Sequence, residues 1–272
     1  MLTREETWEK LVSGNTVQGV MPSGTWNLSG ADLSGTDLSG ANLNEADLRW
    51  ANLNGANLSG ASLVGACLNQ TDLSGVDLSG ANMVGAVFVA VSMAGANLSG
   101  ANISNGEFGR ANLTQSNLDG ANLSGAYLIE ANFSGASLKR TILYKSVLSG
   151  GNFSKADFSE ADLSETDFNV ADLTEANLAG ANLFRADLNA VSLRRADLSG
   201  ANLCEANLSE ANLHGVKFKG ANLQGTRLRG AKKLTFDQLS EAKTLYAAQL
   251  SPKLMKRIEK ENPLLLEKET AD

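Results

Sequence analysis

Cysteine, histidine and long apolar runs are scarce in this chain, and each scarcity excludes a class of protein. The two cysteines, Cys67 and Cys204, are widely separated and do not suggest the disulfide framework of a small secreted domain. No stretch approaches the roughly 20 apolar residues that span a membrane. The first ten residues have no apolar core of a signal peptide. We therefore expect a soluble, cytoplasmic protein with no membrane partner, unless a leader was removed before residue 1.

The chain also has a single histidine, His214, which limits its catalytic chemistry. An active site needs convergent nucleophiles, bases or metal ligands, whereas His214, Cys67 and Cys204 stand apart in the sequence. The phosphate-binding motif GxxxxGK[ST] is absent. The sequence therefore predicts no catalytic residue, no metal site and no cofactor, and hence no enzyme.

Acidic side chains outnumber basic ones, 30 against 23, which gives a net charge of −7. Proteins that bind nucleic acid need clustered Lys and Arg to contact the phosphates. We therefore expect no direct nucleic-acid binding and an acidic protein whose partner is another, unidentified protein.

A large apolar residue stands at every fifth position from Leu28 to Leu228 without a break in register. These 41 residues, here called centres, are 31 Leu, seven Phe, two Met and one Ile. A small residue, most often Ala, precedes each centre by two positions, and Asn or Asp usually stands directly before it. A period of five fits neither an α-helix nor an alternating strand. It predicts a short unit stacked many times, which is a solenoid.

The repeated motif resembles the pentapeptide-repeat family, A-(D/N)-L-x-x. The resemblance is carried by ADLSG at 31–35, ANLNG at 51–55, ANLSG at 96–100 and ADLSG at 196–200. It covers about three quarters of the chain. It implies an all-β fold, a right-handed quadrilateral parallel β-helix in which four pentapeptides make one square coil.

Charges at the corner position, two residues after each centre, indicate the length of a coil independently. If residues n and n + 20 are stacked neighbours, opposite charges at these positions are favourable and like charges are not. This spacing gives seven opposite pairs and no like pair, whereas a spacing of 15 gives three opposite and two like pairs. The seven pairs are Arg110–Glu130, Arg140–Glu160, Lys145–Glu165, Glu165–Arg185, Arg185–Glu205, Lys155–Glu175 and Glu175–Arg195. We therefore predict about ten coils, each made of four pentapeptides.

Both ends of such a stack need covers, because an open edge would pair with other chains. We divide the chain into an N-terminal helical cap and lead-in segment at 1–25, the repeat at 26–230 and a C-terminal helical cap or tail at 231–272. Residues 3–12 are the predicted N-terminal cap helix, because they combine a capping-box pattern with apolar side chains.

The C-terminal cap shows two helix starts. Thr235 and Gln238 form a capping-box pattern, from which we predict a helix to about Gln249. Ser251–Pro252 supplies a cap and a first-turn proline for a second short helix, which Asn262–Pro263 ends.

Three leucines at 264–266 follow that second helix. Two interpretations stay open for them: they pack onto the last helix, or they form a dimer contact.

An acid-rich segment within the repeat predicts a negative belt round one coil. Two interpretations stay open: a ring that basic residues on either side neutralise, or a negative docking surface. Among the aspartates that precede centres, Asp167 and Asp187 are the one pair that the coil spacing stacks like on like. The candidate belt consists of Asp157, Glu160, Asp162, Glu165, Asp167, Asp172 and Glu175.

Taking every fourth repeat sorts the chain into four faces, and two adjoining faces carry outward apolar residues. One face is centred on Leu28, Leu48 and onward, and its neighbour on Leu43, Leu63 and onward. Outward apolar residues indicate either an interaction surface or simple stabilisation of the outer ladders. The candidate surface consists of Val64, Val84, Val87, Val89, Tyr127, Ile129, Ile142, Tyr144, Val147 and Phe184.

Two functions compete at this level. The first is a non-catalytic protein-interaction scaffold, with a homodimer through the C-terminal tail or the apolar side as one form of partner. The second follows from the resemblance, since family members of the quinolone-resistance type mimic DNA and modulate a type II topoisomerase (gyrase). Against the second, the acids are partly paired with bases, and no loop interrupts the register between 28 and 228.

Overall fold

A computed structural model describes residues 26–268, and its backbone repeats with the period of one predicted coil. Parallel bridges join the pre-centre residue of one coil to that of the next, as from Asp47 to Cys67 and from Asp167 to Asp187. Each face contributes one bridging residue rather than a continuous strand. The chain thus forms coils of a parallel β-helix. They belong to two compact units, Met1–Ser137 and Leu138–Asp272, called here the N-terminal and C-terminal units.

The hydrogen bonds of one pentapeptide explain why Asn or Asp precedes the centre. Around Leu33, the N–H groups of Ala31, Leu33 and Gly35 donate to backbone carbonyls of the same or the next coil. The N–H of Ser34 donates instead to a side chain, the Oδ1 of Asp32 at 3.1 Å. A short acceptor at the pre-centre position therefore satisfies a backbone donor that no ladder bond reaches.

The core of each unit is a stack of centres. All 41 are buried, with at most 3% of any one exposed. In the N-terminal unit Phe88 and Phe108 stack in parallel with ring centroids 4.5 Å apart. Gly106 precedes Phe108 because a Cβ at that position would lie 2.8 Å from its ring. In the C-terminal unit Phe153 meets Phe168 edge to face at 5.6 Å.

The corner residues adopt the left-handed backbone region, with φ between 54° and 73° in the repeat. Glycine takes this conformation without strain, whereas a β-branched residue does so only at a cost. Val170, at φ 54°, is the one β-branched corner among the described residues, and 65% of it is exposed.

The C-terminal end, as far as residue 268, has two α-helices and a 3₁₀ turn. Helix α1 is Phe236–Ser240, helix α2 is Pro252–Glu261 and the 3₁₀ turn is Pro263–Leu266. The prediction that the first helix runs to about Gln249 is wrong. After α1 the chain returns to the stack, where Thr244 bridges to Asn222 and Gln249 to Arg227.

The predicted start signals of both helices are confirmed. Thr235 and Gln238 form the capping box of α1, and the Ser251 hydroxyl caps α2 ahead of its first-turn proline. Gln238 also reaches the last coils, because its Nε2 donates to the carbonyls of Leu213 at 2.8 Å and Val216 at 2.9 Å. One glutamine therefore joins the cap to the stack.

The leucines at 264–266 differ in how far they are buried. Leu265 is buried, and its carbonyl accepts the N–H of Leu245 at 2.7 Å. Leu264 is 72% exposed. The segment thus packs onto its own chain at the coil residue Leu245, and the dimer contact stays a prediction. The predicted cap helix at 3–12 lies outside the described residues.

Candidate interaction surfaces

Six of the predicted surface residues lie in the N-terminal unit, and we call them the N-terminal patch. Tyr127 is 54% exposed, Ile129 46% and Val89 37%. The other three, Val64, Val84 and Val87, are half-buried.

The most exposed part of the N-terminal patch surrounds a hollow of about 300 Å³. Val89, Gly109 and Ile129 are successive rungs of one ladder, since the N–H of Ala90 donates to the Gly109 carbonyl and that of Arg110 to the Ile129 carbonyl. Glu107 and Tyr127 are bridged neighbours in the parallel ladder beside it. The hollow exists because Gly109 has no side chain between the two apolar ones.

Gly109 differs from the corner glycines. A Cβ built there meets nothing within 4 Å, and its φ lies outside the left-handed region. Neither backbone conformation nor packing therefore requires glycine at this position. What glycine provides here is open space on the outer surface between Val89 and Ile129.

The remaining four predicted residues, Ile142, Tyr144, Val147 and Phe184, lie in the C-terminal unit and form the C-terminal patch. Ile142 is 42% and Tyr144 37% exposed, and the other two are half-buried.

Cations cover the rings of the C-terminal patch. The Nζ of Lys145 lies 4.8 Å from the centroid of the Tyr144 ring, and the guanidinium of Arg185 lies 4.7 Å from that of Phe184. Such cation–π contacts lower the apolar character of an exposed ring. This patch is thus less apolar than its residue names suggest.

The corner charges form the ladders that the sequence predicts, although not at every step. Four of the seven predicted pairs are ion pairs within 4 Å, and the shortest is 2.7 Å between Arg185 Nε and Glu205 Oε2. That hydrogen bond, followed by the charge of the Glu205 carboxylate, raises the pKa of Arg185. The other three direct pairs are Arg110–Glu130, Lys145–Glu165 and Arg195–Glu175.

The candidate acidic belt lies in the C-terminal unit and is partly neutralised. Three of its seven acids form ion pairs: Asp157 with Lys139, Glu165 with Lys145 and Glu175 with Arg195. The other four are Glu160, Asp162, Asp167 and Asp172, of which the aspartates accept hydrogen bonds from the residues that follow them.

Asp167 of the belt is stacked on Asp187, the like-charged pair that the sequence identifies. A side-chain amide lies between the two carboxylates. The side-chain amide of Asn169 donates to Asp167 Oδ1 at 2.6 Å and to Asp187 Oδ2 at 2.9 Å. One amide thus bridges the two stacked carboxylates.

Further surface features lie outside the candidate surface and the candidate belt. Val170 is exposed at a left-handed corner, and the only signal in the sequence is a valine where glycine or a charged residue is usual. A polar groove of about 490 Å³ crosses the corner of the C-terminal unit between two arginines, Arg185 and Arg227, and two acids, Asp187 and Glu205. Its charges balance, so the sequence pattern gives no signal for it.

Cys67 and Cys204 are free and half-buried. Burial, followed by the charge of Glu205, raises the pKa of the Cys204 thiol. The described residues contain no group of three or more His, Cys, Asp or Glu side chains placed to hold a metal ion. Within the same part of the chain, no helix has the length and apolarity to cross a membrane.

Comparison with known families locates the repeats on this chain. A family model described as pentapeptide repeats matches this chain with eight copies. The matched residues are 27–60, 41–80, 71–106, 107–143, 151–189 and 192–230. No curated protein matches this chain significantly.

Several solved structures are similar. HetL, a pentapeptide repeat protein involved in regulating heterocyst differentiation in the cyanobacterium Nostoc sp. strain PCC 7120, is 31% identical over 92% of this chain and 95% of its own, with a TM-score of 0.41. A second pentapeptide repeat protein from Nostoc PCC 7120 is 34% identical over 42% of this chain and 86% of its own, with a TM-score of 0.33. Full-length QnrB1, a plasmid-mediated fluoroquinolone resistance protein, is 20% identical over 86% and 97%, with a TM-score of 0.37.

Proposed function

Because this chain belongs to the pentapeptide repeat family, we propose that it is a non-catalytic scaffold that binds a protein partner through the N-terminal patch. The coils hold outward side chains at fixed spacing, since each rung is tied to the next by backbone hydrogen bonds. Such a surface is ordered before a partner arrives, which lowers the entropy cost of binding.

The observation that carries this proposal is the exposure of Tyr127, Ile129 and Val89 around one hollow. Aromatic and aliphatic groups beside a depression are typical of the anchor regions that dominate binding energy. Stabilisation of the outer ladder does not require this arrangement, because Gly109 leaves the side chains of Val89 and Ile129 without a neighbour between them. The C-terminal patch supports the proposal less, since its own cations cover its rings.

The test replaces Tyr127 and Ile129 together by Ser. Wild type and variant are used to capture partners from the native organism, and their self-association is measured by sedimentation. We expect partner binding or self-association to weaken by about tenfold or more, with an unchanged circular dichroism spectrum.

The matched control is Asn112→Ser with Thr114→Ser, at the equivalent positions of another face of the same unit. This control should bind like wild type. If the Tyr127 and Ile129 variant keeps both its partners and its oligomeric state, the proposed surface is wrong.

The ion pairs favour the scaffold over a DNA-mimicking modulator of a topoisomerase. A DNA mimic needs an extended negative surface, whereas three of the seven belt acids are paired with cations. A gyrase supercoiling assay separates the two functions. The scaffold predicts no inhibition by the purified protein, and inhibition at low concentration would replace it by the DNA mimic.

A homodimer through the C-terminal tail has less support than one through the N-terminal patch. The buried Leu265 and the bond from Leu245 to its carbonyl engage the tail with its own chain. Leu264 is the exposed large apolar side chain of that segment, and a single leucine is a small contact surface.

A further inference from the structure

The outward aromatic rings of the repeat follow a rule with one exception. Three of the four have a cation from the neighbouring residue over the ring. Arg49 lies 5.3 Å from the centroid of Trp50, Lys145 4.8 Å from that of Tyr144 and Arg185 4.7 Å from that of Phe184. The fourth ring is Tyr127, and its chain neighbours are Ala126 and Leu128.

Tyr127 is also the ring that adjoins a carboxylate across a rung. Glu107 is its bridged neighbour one coil earlier, about 4.8 Å away along the ladder. Among the described residues Glu107 has no ion-pair partner, and both side chains line the hollow at Gly109. The hollow therefore combines an open ring face, a carboxylate and two apolar walls.

Both basic side chains in the described part of the N-terminal unit are engaged in ion pairs. Its described part carries nine acidic side chains and two basic ones, Arg49 and Arg110. Arg49 is paired with Asp47 at 2.6 Å and Arg110 with Glu130 at 2.8 Å. A cation in the hollow therefore comes from outside the described part of this unit, whose negative charge favours its approach.

We propose that the hollow at Gly109 binds a lysine or arginine side chain of the partner protein. The aliphatic stem lies between Val89 and Ile129, and the cationic head contacts the Tyr127 ring and the Glu107 carboxylate. Long basic side chains suit this geometry because their stems pack on apolar surface while the charge stays at the rim. This inference rests on the proposed function and names the chemistry of the partner.

The test uses three blocked amino acids as probes: N-acetyl-arginine amide, N-acetyl-citrulline amide and N-acetyl-norleucine amide. Each is titrated into the full-length protein, and the amide shifts of Gly109 and Ile129 and the ring shifts of Tyr127 are followed by NMR at low salt. We expect the arginine probe to bind and the neutral isosteres to bind at least about fivefold more weakly. Equal or tighter binding of norleucine would overturn the proposal in favour of an apolar occupant.

Two variants locate the site. Glu107→Gln should weaken the arginine probe about fivefold or more, and Gly109→Val should abolish its shifts by filling the hollow, where an added Cβ meets no atom within 4 Å. The matched control, Glu45→Gln, removes one exposed charge from the same unit and should leave probe binding unchanged. If Glu45→Gln weakens the probe as much as Glu107→Gln, the effect is a general one of net charge and the site is wrong.

Natural partner binding distinguishes this inference from the proposed function. If Glu107→Gln binds the partner like wild type while the Tyr127 and Ile129 double variant does not, the scaffold stands and the cationic side chain is excluded. If neither variant loses the partner, the N-terminal patch itself is excluded.

Discussion

At the scale of single residues, the Asn or Asp before each centre has two roles. Its Oδ1 accepts the N–H two residues later, as in Asp32 with Ser34. Where the next coil has Asn, its amide also donates back, as Asn52 does to Asp32 at 3.1 Å and Asn177 to Asp157 at 2.9 Å. Alternation of Asp and Asn along a ladder therefore gives a chain of hydrogen bonds instead of stacked charges.

At Asp167 and Asp187 two aspartates follow each other along the ladder, and Asn169 supplies the hydrogen-bond donor that an alternating Asn would provide. We expect Asn169→Ala to lower the free energy of unfolding by about 1–2 kcal/mol, because Asp167 and Asp187 would then face each other without a shared donor. Urea denaturation at neutral pH measures the effect. A second change, Asp187→Asn, should restore most of the loss.

The control for this prediction is Asn189→Ala, one coil further along the same ladder. There the next pre-centre residue is Asn207, whose amide already donates to Asp187 at 2.8 Å, so no like charges come together. Equal destabilisation by the two alanine variants would show that the carboxylate bridge is not what Asn169 contributes.

The hollow at Gly109 could not be predicted from single residues of the sequence, although the residues around it could. The pattern placed Val89, Tyr127 and Ile129 outward, because a core filled by centres has no room for them. The hollow itself depends on Gly109, and glycine is so common at corners that one at an outward position draws no notice. Within the repeat, Gly106, Gly109 and Gly151 are the glycines that lie away from the corners, and this is the signal that the sequence carries.

At the scale of elements, the C-terminal cap is where tertiary contacts override local pattern. Leu239, Ala242 and Tyr246 have helical spacing and no proline interrupts them, which explains the overlong helix prediction. The coil competes for the same backbone, since the N–H of Gln249 donates to the Thr226 carbonyl and that of Leu223 to the Thr244 carbonyl. Ala247 takes φ 57°, a corner conformation that no helix contains.

Gln238 provides a test of how the cap is attached. We expect Gln238→Glu to destabilise the protein by about 2 kcal/mol, because a carboxylate cannot donate to the carbonyls of Leu213 and Val216 and repels them. Gln224→Glu, an exposed glutamine of the same unit, adds the same charge and should change little. The midpoint of urea unfolding measures both, and equal midpoints would mean that the bridge from cap to coil is not stabilising.

At the scale of the whole molecule, carboxylates with lowered pKa values occur in both units. The Arg49 side chain lowers the pKa of Asp47, and the Ser39 hydroxyl that of Asp37. At Asp197 burial raises the pKa, but hydrogen bonds from Ser199 and Lys217 outweigh it and the pKa is lowered. Protonation of these aspartates at low pH therefore removes stabilising contacts in both units.

The sign of this linkage predicts acid sensitivity. A folded pKa below the unfolded value of about 3.9 stabilises the native state above that pH, and the contribution is lost as pH falls through the folded pKa. We expect stability to be nearly constant from pH 7 to 5 and to fall below pH 4. Thermal melting between pH 2 and 7 tests this, and Asp47→Asn with Asp197→Asn should flatten the fall. A melting temperature that rises toward acid would contradict it.

Most of the repeat could be predicted, because one constraint acts at every fifth residue. The centres from Leu28 to Leu228 are all buried, and the corner charges predict the coil of four pentapeptides that the bridges confirm. What the sequence could not supply depends on neighbours one coil away, such as Asn169 between two acids, or on a missing side chain, such as Gly109. Both features depend on how neighbouring coils meet, which the sequence of a single repeat does not reveal.

The insertion of α1 between two bridging positions has a consequence for protein engineering. The bridge from Asn212 to Lys232 keeps the usual coil spacing, whereas the one from Asn222 to Thr244 is longer, so the chain leaves the stack, builds a helical turn and rejoins the next rung. The β-helix requires only that the chain return to the next bridging position. It does not require an unbroken run of pentapeptide motifs. An engineer could therefore graft a loop, an epitope or a reporter segment at such a corner and leave the architecture on either side intact.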